Sequence, residues 1–502
     1  MSERTGPVVY KFGGTSVGNA ERIREVARLA ALEAGPLVVV VSAMSKVTDA
    51  LVAVCRGIRE GDDVSEALGA LRARHLDAVD GLAGNGPDAG ADALLSDDEA
   101  RALRDRIAGR FDEVTALAAD RTALPDAARD DAILSAGEDL SAAMVAAAIR
   151  ATGRPATWVD PRRLVRTDGR HGKAVPQHEA MRQQCALHLL PVVADGTVAV
   201  VGGFVGANEE GATTTLGRGG GDYTAALLGG AVDAQVVHIW TDVTGILSGD
   251  PRVVDGPRLL PEIGFEEAVE LAYFGAKVIH PGAAVEAVTR RVPLRIRSTF
   301  EPGHDGTLVR QDLRGAAEIA AVAAKTGVIL LKVRTRAWSM PYGFLARVFD
   351  VLGRHRTPVD LVAASHWTTA FTLDEAEELE AVVAELSEFA EVEVVRDLAT
   401  VTVVGHGLMK EPGMDALVFW AVEKTPVHLI AQASDVSLSF LVDESEAPSV
   451  LQRLHTSLIE LRAAAGAVGP HQAQPHTSGR AAFPPTAGFW AGAGPGTTPD
   501  DA

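Results

Sequence analysis

The stretch Val8-Val9-Tyr10-Lys11-Phe12-Gly13-Gly14-Thr15-Ser16 frames the reading of this chain. An apolar, β-prone run ends in a lysine and passes into a glycine pair. Residues 19–32 then place Ile23, Val26, Ala27 and Ala30 at the spacing of a helix with one buried face. The pattern recurs outward. A β-branched run covers 37–42, short strands flank Val159 and Leu164-Val165, and further runs cover 198–201 and 236–241, with helical stretches between. Strands that are apolar along their whole length are buried on both faces. The first 300 or so residues therefore predict an α/β domain with a mainly parallel sheet between helices. Residues 60–130 are rich in Ala, Asp, Arg and Leu and read as a helical insertion, broken at Asn85-Gly86-Pro87.

A different rhythm begins near 318. Strands are expected at 320–324, 328–333, 359–363, 368–373 and 392–395, with helices at 344–352 and 375–386. Strands at 400–405, 427–431 and 436–442 and helices at 415–423 and 447–460 follow. This predicts two βαββαβ units in tandem, a weak repeat of about 75 residues. Their bounds are 318–396 and 397–465, the second able to borrow a strand from 318–324, and the catalytic part spans 1–312. Residues 466–502 are Gly/Pro/Ala/Thr-rich without periodicity and read as a disordered tail carrying Phe483, Phe489 and Trp490.

Composition narrows the function. The 502 residues carry 47 Lys+Arg against 67 Asp+Glu, a net charge of −20. That argues against nucleic acid or an anionic membrane surface as a bulk partner but leaves anionic small molecules open. Cys55 and Cys185 alone build neither a disulfide scaffold nor a cysteine metal site. The start lacks a signal peptide's apolar core, and runs such as 37–41 fall far short of the roughly 20 residues of a membrane span. A soluble cytoplasmic protein is expected.

Four strings carry chemistry. Backbone N–H groups around Gly13, Gly14, Thr15 and Ser16 suit a phosphate beside the charge of Lys11, although a Gly-Gly turn is as readily structural and no Walker A string occurs. Residues 214–224 run Thr-Thr-Leu-Gly-Arg-Gly-Gly-Gly-Asp-Tyr-Thr, with Arg218 as a planar fork inside the glycines and Asp222 near a helix start, where capping is the plain alternative. Residues 240–252, from Trp240-Thr241-Asp242 to Asp250-Pro251-Arg252, put polar groups beyond a strand's carboxyl end. Phe274-Gly275-Ala276-Lys277-Val278-Ile279-His280-Pro281 is the fourth.

In this order and spacing, the four strings resemble aspartate kinases of the amino-acid kinase superfamily. Ser42-Ala43-Met44 through Thr48 and Ser135-Ala136-Gly137-Glu138 extend the match. Residues 343–349 and 358–360 resemble a first ACT regulatory domain, and 435–442 with 451–458 a second. The resemblance implies an amino-acid kinase fold followed by two α+β ACT domains, without a homoserine dehydrogenase domain. It implies transfer of the ATP γ-phosphoryl group to the side-chain carboxylate of L-aspartate, with Mg²⁺ held mostly by phosphates and water and no dedicated protein metal ligand.

The same resemblance distributes roles. Lys11 would neutralise the phosphoryl group in flight, with Asp222 orienting it. Arg218 would hold a substrate carboxylate, and Glu138 the substrate ammonium, unless Glu138 is only a helix-start carboxylate. Ser42, Thr48, Phe204, Gly219, Gly220 and Gly221 would line that pocket. Gly13, Gly14, Thr15, Ser16, Thr241, Asp242, Gly245, Leu247, Asp250, Arg252 and Lys277 would hold the nucleotide, while His280 reads as structural. An amino-acid effector would sit at the ACT interface near Ser339, Pro341, Gly343, Phe344, Leu345, Asp360, Ser365 and His366. ACT pairing makes a homodimer the expected state, with a tetramer as the alternative.

The sequence departs from the family pattern at several points. Gly221 stands where the family usually has Ser, which removes a hydroxyl beside the substrate. Leu247 stands where a Tyr is frequent. Ala364-Ser365-His366 replaces a Thr-Ser-Glu triplet, removing a partner for a lysine ammonium, so lysine inhibition is expected to be weak or absent, as in a feedback-relaxed paralogue. Two alternatives stay open: a kinase acting on a modified aspartate or another acidic amino acid, and a catalytically silent ACT-based sensor.

Overall fold

The computed structural model describes residues 4–85, 93–217, 219–275, 278–311, 318–336, 342–374, 378–406, 408 and 414–460. The tail and the Gly86-Pro87 break fall outside them.

The opening strand β1 (Val8–Phe12) is buried throughout. It leads through a 3₁₀ turn over Gly14–Val17 into α1 (Ala20–Leu32), whose first turn is capped by Asn19 accepting from the Arg22 N–H at 3.0 Å. β2 (Leu37–Val41) returns parallel to β1. Four helices then follow: α2 (Val47–Glu60), α3 (Ser65–Leu82), α4 (Asp97–Ala119) and α5 (Asp126–Ala151). Helix α5 is long and apolar enough to cross a membrane by length and composition. However, 89% of its most apolar window is buried inside the protein, so its apolar surface is spent on the core.

The rest of the catalytic part contains β3 (Ala156–Val159), α6 (His178–His188), α7 (Leu190–Ala194), β4 (Val198–Gly202), β5 (Val205–Ala207), β6 (Thr213–Thr215), α8 (Gly220–Ala231), β7 (Val237–Thr241), β8 (Glu262–Gly264), α9 (Phe265–Phe274), α10 (Pro281–Arg290), β9 (Leu294–Ser298) and β10 (Thr307–Arg310). The main sheet has the order β3-β4-β2-β1-β7-β9-β10-β8, parallel except between β9 and β10. Strand alternation sends Val8, Tyr10 and Phe12 into a core with α1 to α5, and Val9 into a second core with α6, α8, α9 and α10. Lys11 shares the face of Val9 and so points toward α8.

The regulatory part departs from two consecutive units. β11 (Glu318–Thr335) and β14 (Ala390–His406) are single long strands where the sequence reads two short ones each. The apparent breaks are irregularities in their mutual pairing between Lys325 and Leu330, around Gly327 at φ +71°. With α11 (Phe344–Arg354), β12 (Val362–Ala364), β13 (Thr368–Asp374), α12 (Leu379–Ser387), α13 (Met414–Val422), β15 (Leu429–Ser434), β16 (Ser437–Asp443) and α14 (Ala447–His455), they form one six-stranded sheet of order β12-β13-β11-β14-β16-β15. The expected boundary at 396/397 thus cuts a continuous strand, and the first half of β11 pairs with the part of β14 that also carries β16. The expected helix over 447–460 ends at His455 and closes in one π turn over Thr456–Glu460.

Candidate active site

The carboxyl ends of β1, β2, β4 and β7 meet at one edge of the parallel sheet, and the loops beyond them converge there. Lys11, nearly buried, meets Asp222 with Nζ 2.5 Å from Oδ1. Asp222 lies in the first turn of α8, which begins at Gly220, so it is not the cap. The helix is entered through Gly219 at φ +76° with no side-chain cap. A side chain at 219 would be strained, and its Cβ would fall 2.2 Å from Cδ2 of His280. His280 is the N-cap of α10, and its backbone N–H reaches Asp222 Oδ2 at 3.3 Å. It therefore acts on the site by fixing Asp222, which matches its structural reading.

Glu138 does not start a helix; it sits mid-way along α5, 3% exposed. Gly137 lets α5 approach the turn after β2, since a Cβ there would lie 2.7 Å from that of Ala43. The Glu138 carboxylate accepts from the Ala43 N–H and the Thr48 hydroxyl, and its Oε2 has no partner among the described residues. Burial outweighs these bonds and pushes its pKa up to about 8. Gly221 packs against Ser42 and the lysine: a Cβ there would lie 2.9 Å from Ser42 Oγ and 3.3 Å from Lys11 Cε. Phe204 takes φ +68°, donates its N–H to Thr224 Oγ1 at 2.8 Å and packs on Gly220.

The 240–252 segment lies beside this cluster at the end of β7. Thr241 Oγ1 donates to Asp242 at 3.1 Å, and the Thr241 carbonyl accepts from Thr299, whose hydroxyl also bonds Ser16 at 2.7 Å. This ties the turn at Gly13–Ser16 to the segment. Ile246 N–H donates to Thr307 Oγ1 at 2.8 Å, next to Gly245. Leu247 pairs with Leu259, and Arg252 grips Asp250 through Nε at 3.0 Å and Nη2 at 2.6 Å on an exposed turn. Arg218 and Lys277 lie outside the described residues, as do Ser339 and Pro341.

Sequence reasoning missed the clamp behind the glycine loop. Buried Asp131 accepts from Thr215 Oγ1 at 2.5 Å, from His171 Nδ1 at 2.8 Å and from the Gly172 N–H. Its only signal, an acid in an apolar helical stretch, is indistinguishable in sequence from a surface Asp. A cavity of about 470 Å³ lies away from the site among Arg106, Arg110, Asp139, Trp158, Asp160 and Arg162. Arg110 and Arg162 there are paired to acids, and Arg106 stacks on Trp158.

Comparison with known proteins settles the lineage. The amino acid kinase family model matches residues 6–298 and an ACT domain model matches 401–458. Lysine-sensitive aspartokinase 3 of Escherichia coli is 36% identical over 462 residues, 90% of this chain and 99% of that protein. The aspartokinase of Chlamydia trachomatis is 32% identical over 92% of this chain and 100% of its own length. The chain belongs to the aspartokinase family. Among solved structures, E. coli aspartokinase III in complex with aspartate and ADP (R-state) superposes with a TM-score of 0.80, at 35% identity and covering 90% and 99% of the two chains. Its complex with lysine and aspartate (T-state) gives 0.73 over the same shares. This aspartokinase therefore has the catalytic and ACT architecture expected from its motifs, and its enzymatic activity is aspartate kinase activity.

The ACT residues scatter more than the sequence suggests. Gly343, at φ +81°, starts α11, with Phe344 buried and Leu345 at the surface. Ser365 and His366 are exposed at the tip of the β12–β13 hairpin. Asp360 faces the catalytic part instead. Its Oδ1 accepts from Tyr273 Oη at 2.5 Å and its Oδ2 meets Lys325 Nζ at 2.8 Å.

Proposed function

We propose that phosphoryl transfer in this aspartate kinase runs from ATP to the β-carboxylate of L-aspartate across the Lys11–Asp222 pair, giving 4-phospho-L-aspartate. The observation that carries this reading is the nearly buried Lys11–Asp222 contact at the sheet edge, with the buried Glu138 set against Ala43 and Thr48 beyond β2. The nucleophile is already ionised near neutral pH, so no general base is needed. The barrier lies in bringing two anions together, and Lys11 supplies the fixed charge that offsets it. Asp222 aims the ammonium and Glu138 receives the substrate ammonium. Ser42, Thr48, Phe204 and Gly219–Gly221 shape the pocket, and Arg218 takes a carboxylate.

The nucleotide lies along Gly13–Ser16 and Thr241–Arg252, with Lys277. Mg²⁺ accompanies it, held by phosphate oxygens and water, as this small ion favours. The hard oxygen donors nearby suit such an ion, but Asp222 is engaged by Lys11, so no protein ligand is assigned. An amino-acid effector binds at the ACT interface of a homodimer. Residues 1–312 form the catalytic domain, and the ACT pair follows with its two long strands shared.

Gly221 supports a second reading, an acidic acceptor other than aspartate, because the hydroxyl the family usually carries at this position is missing beside Ser42 and Lys11. Trapping the acyl phosphate with hydroxylamine across a panel of acidic amino acids separates the two. Aspartate giving the highest kcat/KM supports the first. Lys11→Ala is expected to lower kcat by about 10²–10³; retained activity would reopen the sensor alternative.

A further inference from the structure

The nucleotide segment does not end in solvent; it is built into the second ACT unit. Ser248, between Leu247 and Asp250, is completely buried. Its carbonyl accepts from Val322 N–H of β11 at 2.9 Å, and its N–H donates to the Arg258 carbonyl at 2.8 Å. Its Oγ accepts from the Arg258 N–H at 2.8 Å and lies 2.9 Å from Nε2 of His455, which is likewise completely buried at the end of α14. Glu460 Oε1 is an acceptor and faces Nδ1 at 3.1 Å, so Nδ1 carries a proton, and Nε2 of the neutral imidazole accepts from the Ser248 hydroxyl. Two more links run from the same segment to the same helix. Gln452 Oε1 accepts from the Asp255 N–H at 2.9 Å, and Val254 is buried in the cluster of Val450, Leu451 and Leu454. Gln452 and His455 are three residues apart, on one face of α14.

We propose that His455 is a positioning residue for nucleotide binding: from the regulatory half it holds the Leu247–Arg252 turn in place through Ser248, and so sets the affinity for ATP but not for aspartate. This rests on the assignment of Thr241–Arg252 to the nucleotide. A side chain that only stabilises the fold would change the amount of active enzyme, hence kcat, and leave both KM values alone. One that positions the turn changes KM for ATP selectively.

The test uses the full chain and initial rates, varying ATP at saturating aspartate and the reverse. His455→Ala is expected to raise KM for ATP about tenfold, with KM for aspartate within about twofold. His455→Gln, which keeps an acceptor for the Ser248 hydroxyl, is expected to recover most of the loss. Ser248→Ala should behave as His455→Ala does, and the double variant should be no worse than either alone. If His455→Ala leaves KM for ATP unchanged, raises both KM values together, or multiplies with Ser248→Ala, while Arg252→Ala still weakens ATP, the inference is overturned. If Arg252→Ala also leaves ATP unaffected, the nucleotide assignment itself has failed and the inference with it.

Discussion

Glu138 offers the sharpest quantitative test of the substrate pocket. Its pKa of about 8 follows from burial in α5 against the turn after β2, only partly offset by Ala43 and Thr48. At pH 7 about one molecule in ten then carries an ionised Glu138. A substrate ammonium needs the ionised form, so binding must expel the proton. The apparent Kd for aspartate should fall about tenfold from pH 6 to pH 7, about 1.4 kcal/mol, and flatten above pH 8. About 0.9 proton should leave per aspartate bound at pH 7. Calorimetry in two buffers of different ionisation enthalpy reads both quantities. Glu138→Gln should bind aspartate more weakly and without pH dependence.

The free enzyme supplies a second arm. The folded pKa lies above the unfolded value, so this group's contribution is fully present below about pH 4.3 and is lost as pH rises through 8. Near pH 7, Glu138→Gln should therefore unfold at higher temperature, by a stability gain on the order of 3–4 kcal/mol. A flat Kd from pH 6 to 8 with no proton release would refute the role of Glu138 as the ammonium partner.

Three further outcomes are expected. Gly221→Ser restores a hydroxyl where Ser42 now crowds the space, and should lower KM for aspartate about tenfold; a higher KM would mean that Ser42 already fills that place. Gly219→Ala forces a side chain into a left-handed residue and against His280, and should cut kcat/KM for aspartate at least about tenfold, with circular dichroism unchanged. Lysine should inhibit only weakly, with half-inhibition above about 1 mM, because both Asp360 oxygens are taken by Tyr273 and Lys325 and His366 replaces an acid; half-inhibition at micromolar lysine in a steady-state assay would refute this.

The strands were legible because parallel strands buried on both faces leave an apolar imprint: Val8–Phe12 and Leu37–Val41 stand where composition puts them. The glycine run Gly219-Gly220-Gly221 was legible as a place of close approach, and a Cβ at each would meet His280, Phe204 or Ser42 within about 3 Å. The clamp of Asp131, the support of Asp222 by His280, and the Ser248–His455 contact were not legible. Each joins residues dozens to hundreds of positions apart through one to three hydrogen bonds, which leaves no periodicity behind. The long strands β11 and β14 were read as pairs because Gly327 and the pairing irregularities near it interrupt the apolar pattern without ending the strand.

Sequence alone determined the family and the order of its parts, since motif order and hydrophobic period are local properties of the chain. The tertiary structure decided what those residues do to one another. It turned Lys11 and Asp222 into a pair, raised the pKa of Glu138 by removing it from water, and turned Asp360 toward the catalytic half. Charge, burial and hydrogen bonding depend on neighbours in space, and only folding brings those neighbours together.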